Sequence, residues 1–158
     1  MSFEGPELAE LGIQNENTHR VNSSILIAGP AFSKDKLYAD TIIINEVTSI
    51  YDADTFRVDI DKWPSIIGER IPVRVLGIDA PEIRGKCEQE KSKARNAKQF
   101  TVEQLRKANV IELRNIQRGK YFRLLADVYV DNKSLSNLLI KSGHARRYDG
   151  GTRQGWCP

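Results

Sequence analysis

Residues 71–82 read I-P-V-R-V-L-G-I-D-A-P-E, and this stretch combines a strand pattern with a cluster of charged side chains. Apolar residues recur at every second position, at Ile71, Val73 and Val75. This alternation is typical of a β-strand with one buried face, and it predicts a strand that ends near Gly77. The stretch therefore indicates a sheet protein with polar side chains placed directly after one of its strands.

The segments on both sides of this strand predict a small barrel with helices. Two strands are predicted before it and two after it, at residues 41–49, 55–60, 110–113 and 124–130. A loop around residues 63–68 precedes the third strand. Helices are predicted at residues 88–107 and 134–142, with Ser134 as the N-cap of the second helix and Gly143 at its C′ position. Five short strands with a helix after the third predict an α+β, β-rich fold: the five-stranded Greek-key barrel of the OB-fold with two to three helices.

Length and composition indicate one folded domain with additional segments at both ends. The chain has 158 residues and a mass of 17.9 kDa, and 40% of its residues are hydrophobic, which is enough for one core. Residues 1–40 are polar and are interrupted by Gly5-Pro6 and Gly29-Pro30, so we predict an N-terminal arm there. The barrel domain is predicted at residues 41–149, and residues 150–158 form a C-terminal tail.

Charge favours a polyanionic partner. The formal net charge is +3, and the first twenty residues alone carry −3, so the remaining chain carries +6. A basic body suits a nucleic acid, although many basic proteins bind none. No apolar run approaches the roughly 18 residues that span a bilayer, so we expect no membrane partner. The acidic start is unlike a signal peptide, although a leader already removed from the chain stays open as an alternative. We also expect a monomer.

Two aspartates are candidates for a cation site. Asp54 lies at the start of the second predicted strand, and Asp79 lies just past the end of the third. A barrel that pairs these strands brings both carboxylates to one rim, where a backbone carbonyl and waters would complete a site for Ca²⁺. Each aspartate, taken alone, is better explained as a turn residue.

Three further side chains match the chemistry of phosphodiester cleavage. Arg74 and Arg123 are both strand arginines, whose planar fork binds phosphate oxygens. Glu82 follows Pro81 and could hold an attacking water as a general base. The alternative for each arginine is an ordinary salt bridge on the surface.

Taken together, these motifs resemble the staphylococcal nuclease (thermonuclease) family. The resemblance covers residues 47–148 and rests on Asp52-Ala53-Asp54-Thr55, on residues 74–82 and on Lys120-Tyr121-Phe122-Arg123. It departs from the family at Ala53 and Phe122, where the family usually has glycine.

The resemblance implies a Ca²⁺-dependent nuclease that acts on DNA and RNA, favours single strands and leaves 3′-phosphate ends. It also implies a role for each matching residue. The Ca²⁺ ligands would be Asp54, Asp79 and the carbonyl of Ala80; Glu82 would orient water; Arg74 and Arg123 would bind the scissile phosphate; Lys120 and Tyr121 would contact a terminal phosphate; Tyr148 would stack on a base. Two other functions stay open: a noncatalytic module that binds nucleic acid or protein, and a barrel that binds a small anion such as a nucleotide.

The two cysteines allow two interpretations. A Cys87–Cys157 disulfide would tie the tail to the loop after the acidic motif and would contribute about 4 kcal/mol in the chain-entropy model. Two reduced thiols are the equally weighted alternative. A disulfide, together with the danger of an unrestrained nuclease in the cytoplasm, leads us to expect a secreted or periplasmic protein.

Overall fold

The computed structural model describes residues 41–158, which form a β-rich domain with three helices. The predicted N-terminal arm, residues 1–40, lies outside the described residues. The strands are β1 (Thr41–Ile44), β2 (Glu46–Asp52), β3 (Thr55–Asp59), β4 (Ile71–Val75), β5 (Ile78–Asp79), β6 (Ile111–Arg118), β7 (Leu124–Val130), β8 (Lys133–Ser134) and β9 (Arg146–Arg147), and the helices are α1 (Ser65–Gly68), α2 (Glu88–Lys107) and α3 (Leu135–Lys141).

The main sheet curls because its two end strands, β1 and β2, are consecutive in the chain. The strand order is β1-β6-β7-β4-β3-β2, with β4 and β7 parallel and the other main pairs antiparallel. β1 and β2 lie at opposite ends of this order, yet Asn45 alone separates them in the chain. The two ends of the sheet are therefore held together. Counted as one bent strand, β1 and β2 give the five-stranded OB-fold, so the predicted fold is confirmed.

The core explains why the strands alternate. Phe56 and Val58 of β3 and Val73 and Val75 of β4 are at most 1% exposed, so the predicted apolar face of these strands is the inner one. Helix α2 closes one side of the barrel with Ala94, Ala97, Thr101 and Leu105, all of which are buried. Burial of apolar side chains against the helix is the main force that holds the barrel together.

Both long helices lie where the sequence predicts them. Helix α2 has the predicted bounds, with acidic residues in its first turn and basic residues in its last, as the helix dipole favours. Ser134 caps α3 by accepting a hydrogen bond from the Asn137 backbone N–H at 3.4 Å. Gly143 follows this helix with φ +72°, a conformation that glycine adopts without strain.

Several short features differ from the prediction. The loop expected around residues 63–68 contains the single-turn helix α1, and β6 extends to Arg118, five residues beyond its predicted end. The strand predicted at residues 41–49 is interrupted at Asn45 and continues to Asp52. β2 also has two register shifts against β3, between Val47 and Ser49 and between Ile50 and Asp52. Within residues 41–158, no helix combines the length and apolarity needed to cross a bilayer.

Candidate active site at the barrel rim

A two-residue turn between β2 and β3 positions the first aspartate. Ala53 and Asp54 form this turn, and both are buried. The Thr101 hydroxyl of helix α2 donates to the Ala53 carbonyl at 2.8 Å, and the Val75 N–H of β4 donates to the Asp54 carbonyl at 2.9 Å. Ala53 does not have a positive φ, so the chain needs no glycine here, and the departure from the family at this position leaves the turn intact.

Replacement of Thr101 by valine tests how α2 supports this turn. The variant keeps the side-chain shape but leaves the buried Ala53 carbonyl without its donor, which costs about 1–3 kcal/mol. We expect the free energy of unfolding in urea to fall by this amount. Thr55→Val is less suitable as a control because Thr55 contacts Asp54 directly; Thr152→Val, in the exposed tail, should leave the unfolding curve unchanged. Equal stability of Thr101→Val and wild type would contradict the proposed support.

The Asp54 carboxylate is buried beside one arginine. It is 3% exposed, pairs with Arg74 Nη1 at 2.9 Å and accepts a hydrogen bond from the Thr55 hydroxyl at 2.8 Å. Burial raises the pKa of Asp54 above its usual value, while the Arg74 guanidinium lowers it; burial is the larger effect. The negative charge of Asp54 is thus only partly compensated, and a further cation beside it would be stabilising.

Arg74 lies in β4, and Arg123 directly precedes the neighbouring strand β7, so the two-residue period of an extended chain leads us to expect both side chains on one face of the sheet. Arg74 is opposite Leu125 in the parallel β4–β7 pair, and Arg123 precedes Leu125 by two residues. Alternate residues of an extended chain share a face. Among the described residues, Arg74 Nη2 and Arg123 Nε are buried and have no hydrogen-bond partner. Buried donors are normally paired, so this face is suited to an oxyanion that can accept both.

The second aspartate, Asp79, lies in a short two-stranded sheet. Asp79 ends β5, which pairs with β9 so that Asp79 lies opposite Arg146. Asp79 is 5% exposed, and its negative charge contributes to the raised pKa of Asp54, after burial and the opposing effects of Arg74, Thr55 and Arg153. The two predicted cation ligands are therefore both buried and electrostatically coupled. Their hard oxygen atoms suit Ca²⁺, which accepts irregular coordination, so the donor set fits this ion.

Two acidic residues that the sequence analysis did not assign hold the Glu82 loop in place. Glu90, in the first turn of α2, accepts from the Lys86 N–H at 2.9 Å and from the Glu82 N–H at 3.5 Å. Asp52 accepts from the Ile83 N–H at 3.1 Å. Burial raises the pKa of Asp52, and the hydrogen bond from Ile83 opposes this rise. The Glu82 side chain itself is 54% exposed and therefore accessible to water.

The C-terminal tail, which the sequence analysis left without a function, lies against these carboxylates. Arg153 Nη1 is 2.6 Å from Glu82 Oε1, and Arg153 Nε is 3.4 Å from Asp79 Oδ1. The indole N–H of Trp156 donates to Asp79 Oδ2 at 3.1 Å. Burial lowers the pKa of Arg153, but the hydrogen bond to Glu82 and the negative charges of Asp79, Glu82 and Asp54 raise it by more.

A disulfide between Cys87 and Cys157 fixes the end of the tail, with the two Cα atoms 6.1 Å apart. Of the two interpretations of the cysteines, the structure contains the disulfide. The Glu90 carboxylate lies close to both sulfurs. Because the sulfurs are bonded to each other, this group of three residues offers no thiolate to a metal. The disulfide was the signal in the sequence that could have predicted the tail contacts, because it joins the tail to Cys87, which is only five residues from Glu82.

Of the other predicted substrate residues, Lys120 and Tyr121 take no part in these contacts within residues 41–158, whereas the Tyr148 ring has its centre 5.9 Å from the Arg153 guanidinium. Lys120 and Tyr121 are exposed in the turn before β7, and Tyr121 is 94% exposed. Phe122 has a φ of +61°, a left-handed conformation in which glycine is favoured, so the departure from the family here retains the turn at a cost in strain. Tyr148 is half-buried, and its hydroxyl donates to the Gly151 carbonyl at 2.8 Å. Within residues 41–158, the side chains of Lys120, Tyr121 and Tyr148 form no hydrogen bond or ion pair with Asp54, Asp79 or Glu82.

The barrel, the paired aspartates and the rim arginines define a staphylococcal-nuclease-type domain. Residues 72–154 match the family described as staphylococcal nuclease homologue, and the chain belongs to this family. The matched segment contains both arginines, Asp79 and Glu82. It continues beyond the predicted limit of the resemblance at residue 148 and includes Arg153.

One curated relative is named endonuclease YncB, from Bacillus subtilis (strain 168). The two sequences are 28% identical over 135 residues, which is 84% of this chain. The match spans 60% of the relative's length, so a substantial part of that protein has no counterpart in this chain.

Proposed function

We propose that this protein is a nuclease that hydrolyses phosphodiester bonds of DNA and RNA in a Ca²⁺-dependent reaction. The observation that carries the proposal is the arrangement of the rim: Asp54 and Asp79 are buried and their charges interact, Arg74 pairs with Asp54, and within residues 41–158 Arg74 and Arg123 each have a buried N–H group without a partner. Family membership and the relative named as an endonuclease support the same function. A nucleic acid is the polyanion that this charge arrangement fits, and we propose single strands as the favoured form.

In this proposal Asp54, Asp79 and the Ala80 carbonyl hold Ca²⁺, which when bound supplies positive charge next to the reacting phosphate. Arg74 and Arg123 donate to the phosphate oxygens, where negative charge grows as phosphorus becomes five-coordinate. Their donors are fixed before substrate binds, because both side chains are largely buried. They therefore stabilise the transition state without reorganising.

Glu82 is proposed to orient and deprotonate the attacking water. One of its oxygens is paired with Arg153, which leaves the other to accept the proton. The water oxygen forms a bond to phosphorus, the bond from phosphorus to the 5′ oxygen breaks, and that oxygen takes a proton from solvent water as it leaves. The products are a 3′-phosphate and a 5′-hydroxyl. Lys120 and Tyr121 are proposed to contact a terminal phosphate, and Tyr148 to stack on a base.

Incubation of the purified protein with single-stranded DNA in Ca²⁺ and in chelator tests this function. We expect degradation in Ca²⁺ and none in chelator. If the fragments end in 3′-phosphates, their 3′ ends can be labelled only after treatment with phosphatase. Intact DNA that shifts on a gel would contradict hydrolysis and favour the alternative, a noncatalytic binding module. Intact DNA that does not shift, with retained binding of a mononucleotide, would favour the small-anion barrel.

Replacement of Asp54 by asparagine separates cation binding from chemistry. At a Ca²⁺ concentration 100 times the dissociation constant, the free energy of unfolding of the wild type should rise by about 2.7 kcal/mol, because the ion binds only the folded state. We expect Asp54→Asn to lose this increase in thermal melts. Asp61→Asn, an exposed aspartate beyond the opposite end of β3, should respond like the wild type. A full increase in Asp54→Asn would exclude Asp54 as a ligand.

The compartment forms part of the proposal. Disulfides persist in oxidising environments and are rare in the reducing cytosol. The Cys87–Cys157 bond is compatible with an extracellular protein, and we propose a secreted or periplasmic location on this basis.

A further inference from the structure

The tail at residues 153–157 has no regular secondary structure, yet side-chain contacts fix its path. Arg146 Nη2 donates to the carbonyls of Gln154 at 3.0 Å and Gly155 at 3.2 Å. The Arg146 guanidinium also lies 3.6 Å from the centre of the Trp156 ring. The next residue, Cys157, is bonded to Cys87. The backbone on both sides of Trp156 is therefore held, and its ring is stacked on a cation.

These contacts direct the Trp156 N–H at one oxygen of Asp79. Asp79 Oδ2 accepts from Trp156 at 3.1 Å and lies 3.7 Å from Arg146 Nη2, so Trp156 and Arg146 together hold this oxygen. The other oxygen, Oδ1, faces the Arg153 guanidinium, which also interacts with Glu82 and with the charge of Asp54. The Arg153 guanidinium thus lies on the Oδ1 side of Asp79, among all three acidic residues, and a Ca²⁺ ion bound by Oδ1 would take its place.

We propose that Trp156 is a positioning residue for Asp79: its indole N–H holds Oδ2 and thereby keeps Oδ1 directed toward the cation. The inference rests on the proposed function, because it requires a cation at Asp79. Partners that hold a metal ligand through its second atom typically contribute 10- to 100-fold in metal affinity. In this proposal the tail contributes to cation binding by orienting Asp79, and the disulfide holds the tail in place.

Trp156→Phe tests this role, because phenylalanine retains an aromatic ring but has no N–H. We expect the Ca²⁺ dissociation constant, measured by calorimetry without nucleic acid, to increase at least about tenfold. The matched control is Trp63→Phe, which alters the other tryptophan, in the loop after β3. It should bind Ca²⁺ like the wild type. An affinity of Trp156→Phe within twofold of this control would overturn the positioning role while leaving the proposed function standing.

A spectroscopic measurement covers the case in which Trp156→Phe does not fold. In Trp63→Phe, Trp156 is the single tryptophan and reports on its own hydrogen bond. Its emission should change when Ca²⁺ is added and return when chelator is added, since Asp79 is the acceptor of its N–H. Unchanged emission at saturating Ca²⁺ would overturn the inference. Absence of Ca²⁺ binding by the wild type itself would overturn the proposed cation dependence, and the positioning role with it.

Discussion

Replacement of Arg123 by alanine is expected to reduce the turnover number for DNA cleavage by about 10²- to 10³-fold, the usual effect of losing one fixed donor to a transition-state oxyanion. Stability should change little. Arg123 Nε is buried without a partner in the described chain, so its removal deletes an unsatisfied donor rather than a bond. Lysine at this position should restore little of the loss, because an ammonium group lacks the planar fork.

Glu82→Gln provides the second arm of this test. Glutamine retains the shape of the side chain but cannot accept the proton. We therefore expect the turnover number of Glu82→Gln to be about 10²- to 10⁴-fold below that of the wild type. The matched control is Arg118→Ala, an exposed arginine of β6 that stacks on Phe122 and lies before the same turn. Its turnover should be normal. Near-normal turnover in both Arg123→Ala and Glu82→Gln would place the reacting groups elsewhere.

Reduction of the Cys87–Cys157 disulfide is expected to lower the free energy of unfolding by about 4 kcal/mol. The bond joins residues 70 positions apart, and closing a loop of this length restricts the unfolded chain strongly in the chain-entropy model. For a urea slope of about 2 kcal/mol per M, the unfolding midpoint should fall by about 2 M. Circular dichroism in oxidised and reduced protein measures this shift.

The double variant Cys87→Ser/Cys157→Ser serves as the control for the reductant. Its midpoint should lie near that of the reduced wild type and should not move when reductant is added. If oxidised and reduced wild type unfold at the same urea concentration, the disulfide does not contribute to stability. A midpoint of the double variant equal to that of the oxidised protein would lead to the same conclusion.

The fold was predictable where local patterns extend over several residues. The alternation at Phe56, Val58 and Val73 identified buried strands, and the spacing in α2 identified a helix with its observed bounds. Two-residue strands such as β5 and β9 have too few residues to show a period. They exist because Asp79 and Arg146, far apart in the chain, pair with each other.

The candidate site was predictable only in part, for a related reason. Asp54, Arg74 and Asp79 lie at or next to strand ends, so the barrel topology explains how they approach one rim. Arg153 and Trp156 lie in an irregular segment, and their contacts with Asp79 join residues more than seventy positions apart. No local pattern encodes such contacts. The chemical roles of all these residues stay predictions until the variants are measured.

The two register shifts in β2 have a consequence for how molecules of this protein meet each other. β2 lies at an end of the sheet order, where unpaired N–H and C=O groups could template a strand from another copy. Register shifts increase the local twist of the edge strand and interrupt the regular spacing of its N–H and C=O groups. Helix α2 also packs on this strand. The β2 edge is thereby a poor template for sheet growth between molecules.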